Sequence, residues 1–480
     1  MLPKPAAFLL NTVGSLAHRS RDGAEELLRL AMDRQVRLAV TGLSQSGKTV
    51  FITSLIHQLL NALAGARLPF WEVVAQGRFR GARIMLQPRV EVPAFRYDQF
   101  IQPLTGDPPA WPSPTQGLSE IRLAIRYRPG GFVSSRLSPV TTLHLDIVDY
   151  PGEWLMDLPL LDHTFASWSA EVFRLCREEP RRRLSAPWRQ HLESLDGQGT
   201  PDEGPLREAS ALYTHFLHRC KGAEGGLNHL QPGRFLVPGE LAGTPLVTFT
   251  PLPPPPDGRA FSSSLRELMT QRFESYKERV VRKFYRDHFS RFDRQIVLVD
   301  LLKGLNQGSY SFADMQGALR SILANFRYGP SGALARLLRP RIDRLLFAAT
   351  KVDHVAANQH HNVERLLNRM LAAPAGEALF EGVEVKTLAL SSFRCTRTVA
   401  RVHEGRRLSF VQGVPKGRDQ EILLFPGEIP ESIPAPAEWA EDRFHFVEFS
   451  PRRPVDAEGE AMPHLRLDQA LEFLIGDKLR

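Results

Sequence analysis

Arg37-Leu38-Ala39-Val40-Thr41-Gly42-Leu43-Ser44-Gln45-Ser46-Gly47-Lys48-Thr49 is a short apolar run that breaks into Gly-x-x-x-x-Gly-Lys-Thr and continues as Val50-Phe51-Ile52-Thr53-Ser54-Leu55-Ile56. Strand, glycine-framed loop and helix follow in the order a phosphate-binding P-loop requires. Gly42 and Gly47 permit backbone angles closed to other residues, so successive N–H groups can turn inward around phosphate oxygens, with Leu43, Ser44, Gln45 and Ser46 forming the loop between them. The helix opening at Lys48 adds its own N–H groups and the positive end of its dipole. Lys48 would reach the β- and γ-phosphates, and the Thr49 hydroxyl would ligate Mg²⁺. An ordinary Gly-rich turn shares the glycines but not the flanking pattern. Val50, Ile52, Leu55, Ile56, Leu59, Leu60 and Leu63 recur at helical spacing.

With 480 residues, 42% hydrophobic and 24% charged, the chain has a globular composition and length enough for two or more domains. No stretch is long and apolar enough to cross a bilayer, and Phe8-Leu9-Leu10 is too short for a signal peptide. Cys176, Cys220 and Cys395 lack metal-like spacing, so a reduced, cytoplasmic protein is the expectation. The net charge of +8 allows peripheral contact with an anionic membrane. No aromatic-basic module points to nucleic acid. Arg78-Phe79-Arg80, Arg181-Arg182-Arg183 and Arg406-Arg407 read as solvated surface, as do His354, His360 and His361.

Along the chain, a helix is expected over 23–32 and a turn at 65–70. Pro88 to Ser119 is too rich in Pro, Gly and Asp to be regular throughout. Ser119–Tyr127 and Thr142–Val148 alternate with period two, the second ending on Asp149-Tyr150-Pro151-Gly152. An Asp at the end of an apolar strand of an α/β sheet is the Walker B candidate for Mg²⁺; an Asp-Tyr-Pro-Gly turn without ligand is the plainer alternative. Residues 155–292 read as helical, interrupted by the polyproline run 251–256. Apolar strands resume at Gln295–Leu302, Ile342–Ala349 and Val383–Leu390, with a helix at Phe312–Phe326 between the first two. Residues 406–451 read as strand-rich, and 464–479 as an amphipathic closing helix. Strands alternating with helices imply an α/β fold with a doubly wound, mostly parallel sheet. Its P-loop domain would comprise residues 1–154 and 293–480, with residues 155–292 as an inserted helical domain.

Thr350-Lys351-Val352-Asp353 and Ser391-Ser392 also close strands, so with the P-loop and Asp149-x-x-Gly152 they make an ordered set that resembles the motifs of Ras-like GTPases. Leu43–Thr49, Asp149-Tyr150-Pro151-Gly152-Glu153-Trp154, Ala348–His354 and Trp111-Pro112 with Thr115 resemble the YcjX family, bacterial P-loop proteins with a Ras-like domain carrying a helical insertion. The resemblance covers nearly the whole chain. It implies binding of GTP or GDP with Mg²⁺ and slow GTP hydrolysis, with a general ATPase or a nucleotide-stabilised scaffold at the membrane surface as alternatives. It also implies roles for individual residues. Asp353 would accept from guanine N1–H and N2–H₂, Lys351 would lie along the base, and the backbone at Ser391 and Ser392 would meet the guanine oxygen. Gly152 and Glu153 would face the γ-phosphate, and Thr115, ahead of Thr105, Thr141 and Thr142, would be the switch-loop Mg²⁺ ligand. Two departures stand out. Thr350 replaces the usual Asn, and Glu153 replaces the water-orienting Gln, so it acts on water, points away or leaves hydrolysis slow. The insertion would report the nucleotide state to a partner protein.

Overall fold

The computed structural model describes residues 34–480 apart from 65–67, 116, 131–139, 196–202, 255–264, 326–341, 381, 404, 441–442 and 453–461. The helix expected over 23–32, the apolar stretch at 8–10 and parts of the turn at 65–70 and of the run at 251–256 therefore lie outside the described residues.

Among the described residues, ten strands form two sheets. They are β1 (Arg34–Gly42), β2 (Phe79–Met85), β3 (Ser119–Tyr127), β4 (Thr141–Asp149), β5 (Arg294–Val299), β6 (Arg344–Ala349), β7 (Glu384–Ala389), β8 (Arg397–His403), β9 (Arg406–Gly413) and β10 (Ile422–Leu424). The main sheet has the order β2-β3-β4-β1-β5-β6-β7. Its five strands β4-β1-β5-β6-β7 are parallel, and β2 and β3 add an antiparallel edge. A small antiparallel sheet, β10-β9-β8, follows. This is the mostly parallel α/β architecture of a P-loop NTPase.

The strands are apolar on both faces because helices cover both. Leu38, Val40, Ile296, Leu298, Leu346 and Ala348 face helix α1 (Lys48–Leu60) and the closing helix. Ala39, Val297, Val299, Leu345, Phe347 and Ala349 join the opposite core. There they pack with the insertion and with two further helices, Ser309–Ala324 and His360–Phe380.

The helical segment between β4 and β5 comprises α2 (Phe165–Leu175), α3 (Glu203–Lys221), α4 (Leu265–Tyr276) and shorter turns. Thr164 caps α2, its hydroxyl accepting from Ser167 N while Ser167 Oγ accepts from Thr164 N. Trp168, Trp188, Tyr213, Phe249 and Phe273 fill its centre, with Trp168 stacked on Phe273 at 5.0 Å. This core is continuous with one face of the sheet, so the insertion rests on the strands it separates. Among the described residues no helix is long and apolar enough to cross a membrane.

Several expectations need correction. Residues 79–85 form the edge strand β2 and bury Phe79, inside a cluster read as solvated surface; the stretch 88–119 holds the helix Tyr97–Thr105 and is otherwise irregular where described, in line with its composition. The strand read as Gln295–Leu302 stops at Val299, because the Asp300 side chain accepts from Lys303 N and starts a helix. Arg181 is not solvated: it is paired with the buried Asp314 at the foot of the insertion. The closing helix, Leu467–Ile475, is buried around most of its circumference.

Candidate functional site

The parallel strands all end on one edge, and the loops expected to bind nucleotide gather there. β1 lies between β4 and β5, with Val40 opposite Asp149 and Gly42 opposite Leu298. The Leu43 amide donates to Leu298 O at 3.0 Å and Ser46 N to Leu43 O at 3.1 Å, closing the loop on itself. Gln45 and Gly47 take left-handed backbone angles, φ 62° and 83°. Gly42 is required for a different reason: a Cβ there would stand 2.9 Å from Leu298 O and 2.2 Å from Ser46 Oγ.

Lys48 crosses the floor of the loop. Its Nζ lies 2.6 Å from Asp149 Oδ1 and donates to Tyr150 O at 2.9 Å. Asp149 is 1% exposed, and among the described residues its Oδ2 has no hydrogen-bond partner. Thr115 N donates to Thr49 Oγ1 at 3.3 Å, and the two hydroxyls are 3.5 Å apart. Thr105 instead donates to Ile101 O in its own helix, and Thr141 and Thr142 begin β4, at the end remote from Asp149.

The segment after Asp149 is held from two sides. A Cβ on Gly152 would lie 2.2 Å from Gly42 O, and one on Gly233 of the insertion would lie 1.9 Å from Glu153 O. Backbone therefore presses against backbone at both contacts. Asp157 accepts from the amides of Gly233 and Arg234 and from Tyr276 Oη, while Trp154 Nε1 donates to Val237 O. Burial lifts the Asp157 carboxyl to about 6, against the pull of those donors. The Glu153 carboxylate is ion-paired at 2.7 Å with Lys221, the last residue of α3.

The far end of the edge is built around Asp353. Its Oδ1 accepts from Ser391 Oγ, and its Oδ2 accepts from Cys395 N at 2.8 Å, Thr396 N at 3.2 Å and Cys395 Sγ at 3.2 Å. The carboxylate thus ties the loop after β6 to the loop after β7. Lys351, at φ 58°, has its Nζ 2.6 Å from Asp300 and 2.7 Å from Glu448. Burial alone would depress this ammonium, but the two carboxylates hold it above its ordinary value. Burial would likewise raise Glu448, yet Lys351 and Lys416 bring it down to about 2. Thr350 Oγ1 and N both donate to Val299 O.

Two expectations change here. The Ser391 N–H donates to Leu465 O, so the last motif presents the Ser391 side chain and Ser392 but not that amide. His354 and His360 are buried, while His361 is exposed. His354 lies under Phe449, whose ring is 5.3 Å away, because the segment that follows the small sheet roofs this loop. Asp353, His354 and Cys395 place ligand-type atoms within 4.8 Å of one another. The carboxylate already accepts from Ser391, Cys395 and Thr396, and Cys395 Sγ lies 3.4 Å from His354 Nε2, so the trio is a hydrogen-bonded cluster.

One cavity of about 570 Å³ joins all these loops. It is lined by every residue from Gly42 to Thr49, by Thr115, Gly152 and Glu153, and by Thr350, Lys351, Asp353, Ser391 and Ser392. Asp149 sits below it. Lys221, Lys416 and Glu448 also line it and were not anticipated, because helix-end and loop charges carry no motif.

The model of the YcjX-like family, DUF463, matches residues 36–479. The chain belongs to the YcjX-like family. Two relatives agree. The Ras-like GTPase YcjX of Escherichia coli K12 is 42% identical over 468 residues, spanning 96% of this chain and 100% of that protein. The Ras-like GTPase YcjX of Shewanella oneidensis is 40% identical over 478 residues, spanning 96% and 98%. The P-loop, Asp149–Trp154, Ala348–His354 and Trp111-Pro112 with Thr115 carry this family resemblance in the sequence.

Proposed function

We infer that this YcjX-like chain binds guanine nucleotide and hydrolyses GTP slowly, as a switch. The observation that carries the reading is the single cavity running from a P-loop to an acidic carboxylate, Asp353, at the ends of parallel strands. Phosphates fit the P-loop end, where Lys48 and the N-terminus of α1 concentrate positive charge. Guanine fits the Asp353 end, because a carboxylate suits a paired N–H donor edge that adenine lacks. The names of the relatives point the same way.

Mg²⁺ fits the donor set. The Thr49 and Thr115 hydroxyls lie together, and Asp149 Oδ2 is a buried acceptor without a donor among the described residues. With nucleotide present the ion would neutralise phosphate charge. Lys48 would then exchange Asp149 for phosphate oxygens, and the Thr115 loop and the Gly152 segment would order around them. Residues 155–292 would act as an inserted helical domain that passes this state to a protein partner, in the cytoplasm or at a membrane surface.

Calorimetric competition tests the reading. GTP is expected to bind more tightly than ATP, to need Mg²⁺ for full affinity, and to lose its advantage in Asp353→Ala. Lys48→Ala is expected to abolish binding and phosphate release. Equal competition by ATP would replace this reading with a general ATPase. Bound nucleotide with no phosphate release over hours would favour a scaffold.

A further inference from the structure

Four lysines line the cavity, and each is held by a carboxylate: Lys48 by Asp149, Lys351 by Asp300 and Glu448, Lys416 by Glu448, and Lys221 by Glu153. Lys221 differs from the rest in origin, since it comes from the insertion. It lies at the phosphate end, in a recess with Gly42, Leu43, Ser44, Gly152 and Glu153.

Its backbone is firmly placed. Cys220, its neighbour, is fully buried, and Leu227 N donates to Cys220 O at 2.9 Å, closing the turn that follows α3. Gly225 packs so closely there that a Cβ would stand 2.3 Å from Cys220 O. The same turn is fastened to the sheet side of the molecule, as Ser311 Oγ donates to Gly226 O and Asp314 accepts from the amides of Asn228 and His229. Only the four-carbon side chain, 26% exposed, is left to carry the ammonium elsewhere.

Resting on the GTPase reading above, we propose that Lys221 is a catalytic cation supplied in cis by the insertion, kept by Glu153 until a γ-phosphate arrives. Glu153 is one carboxylate at partial exposure, whereas a γ-phosphoryl group offers more negative charge at the same end of the cavity. Lys221 then has the stronger partner in the nucleotide, and its departure frees the Glu153 carboxylate to accept a hydrogen bond from water. In the reaction, water oxygen bonds to the γ-phosphorus as the bond to the β–γ bridging oxygen breaks. The bonding pair leaves with GDP, and the water proton passes to the phosphate product. Lys221 places positive charge against the oxygens on which negative charge accumulates. A helix-terminal lysine that merely complements the helix dipole would share the position of Lys221 but none of this effect.

The test compares Lys221→Ala, Lys221→Met and Lys221→Arg with the wild-type full-length protein. GTP hydrolysis is measured at saturating GTP and Mg²⁺, GDP affinity by a fluorescent GDP analogue, and transition-state binding by the extra thermal stabilisation that aluminium fluoride adds to the GDP complex. The neutral variants are expected to lose about 100-fold or more in turnover and to lose the aluminium fluoride increment, with GDP affinity within about threefold. Lys221→Arg is expected to restore both. Turnover within threefold of wild type in a neutral variant, or an unchanged aluminium fluoride increment, would overturn the role of Lys221. Wild-type protein that binds no guanine nucleotide would overturn the underlying reading instead, and this proposal with it. Lys221→Met keeps the apolar stem in place should Lys221→Ala fail to fold.

Discussion

Replacing Asp353 by Ala removes an acceptor that four protein donors share: Ser391 Oγ, Cys395 N, Thr396 N and Cys395 Sγ. Asp353, Ser391, Cys395 and Thr396 are all buried, and Cys395 and Thr396 do not line the cavity, so their stranded amides do not reach bulk water. A buried polar group without a partner costs about 1–3 kcal/mol, and the two backbone amides and the serine hydroxyl are the strong donors of the set. One water in the vacated volume would satisfy part of that set. The net expectation is a loss of about 3 kcal/mol in stability, read from urea unfolding of the nucleotide-free protein. Asp353→Asn separates this cost from recognition. Its carboxamide oxygen can still accept from Cys395 N and Thr396 N, so the stability loss should fall to about 1 kcal/mol. Guanine preference should nevertheless collapse, because an amide presents one acceptor where the carboxylate presents two. If Asp353→Ala unfolds within about 0.5 kcal/mol of wild type, the carboxylate is not the tie between the two loops and this reasoning fails.

Two further perturbations follow from the packing around Gly152 and Asp157. Gly152→Ala puts a methyl 2.2 Å from Gly42 O, so the segment must withdraw from the P-loop; a stability loss of about 2 kcal/mol and at least tenfold weaker triphosphate binding are expected, checked by thermal unfolding and calorimetry. Asp157, lifted to about 6 by burial, binds its proton more tightly folded than unfolded, so its contribution is complete below about 4 and is lost as pH rises through 6. Wild type should therefore gain on the order of 1 kcal/mol over Asp157→Asn between pH 7 and pH 5 in paired unfolding curves, and a constant difference would contradict it.

Local pattern was enough to reveal the main sheet and its phosphate loop. Glycine spacing, the helical period after Lys48 and apolar strands each closing on Asp149, Thr350 or Ser391 all act over a few residues. The edge strand β2 escaped because Arg80, Arg83 and Ile84 face outward and interrupt any alternation. The helix at Tyr97–Thr105 escaped because Pro103 lies inside it. His354 was misplaced because its burial depends on Phe449, far along the chain.

The sequence by itself determined the family, the order of the parallel strands, and which residues stand at their ends, since these follow from short-range steric and periodic rules. Only the tertiary structure decided how they are joined. Asp353 spends its oxygens on the neighbouring loop, the Ser391 amide is taken by Leu465, and Gly152 is locked between P-loop and insertion. Glu153, the position the motif left open, is paired with Lys221. Ion pairs and buried hydrogen bonds of this kind form between groups brought together by packing, and nothing in the spacing of residues along the chain encodes which charge will meet which.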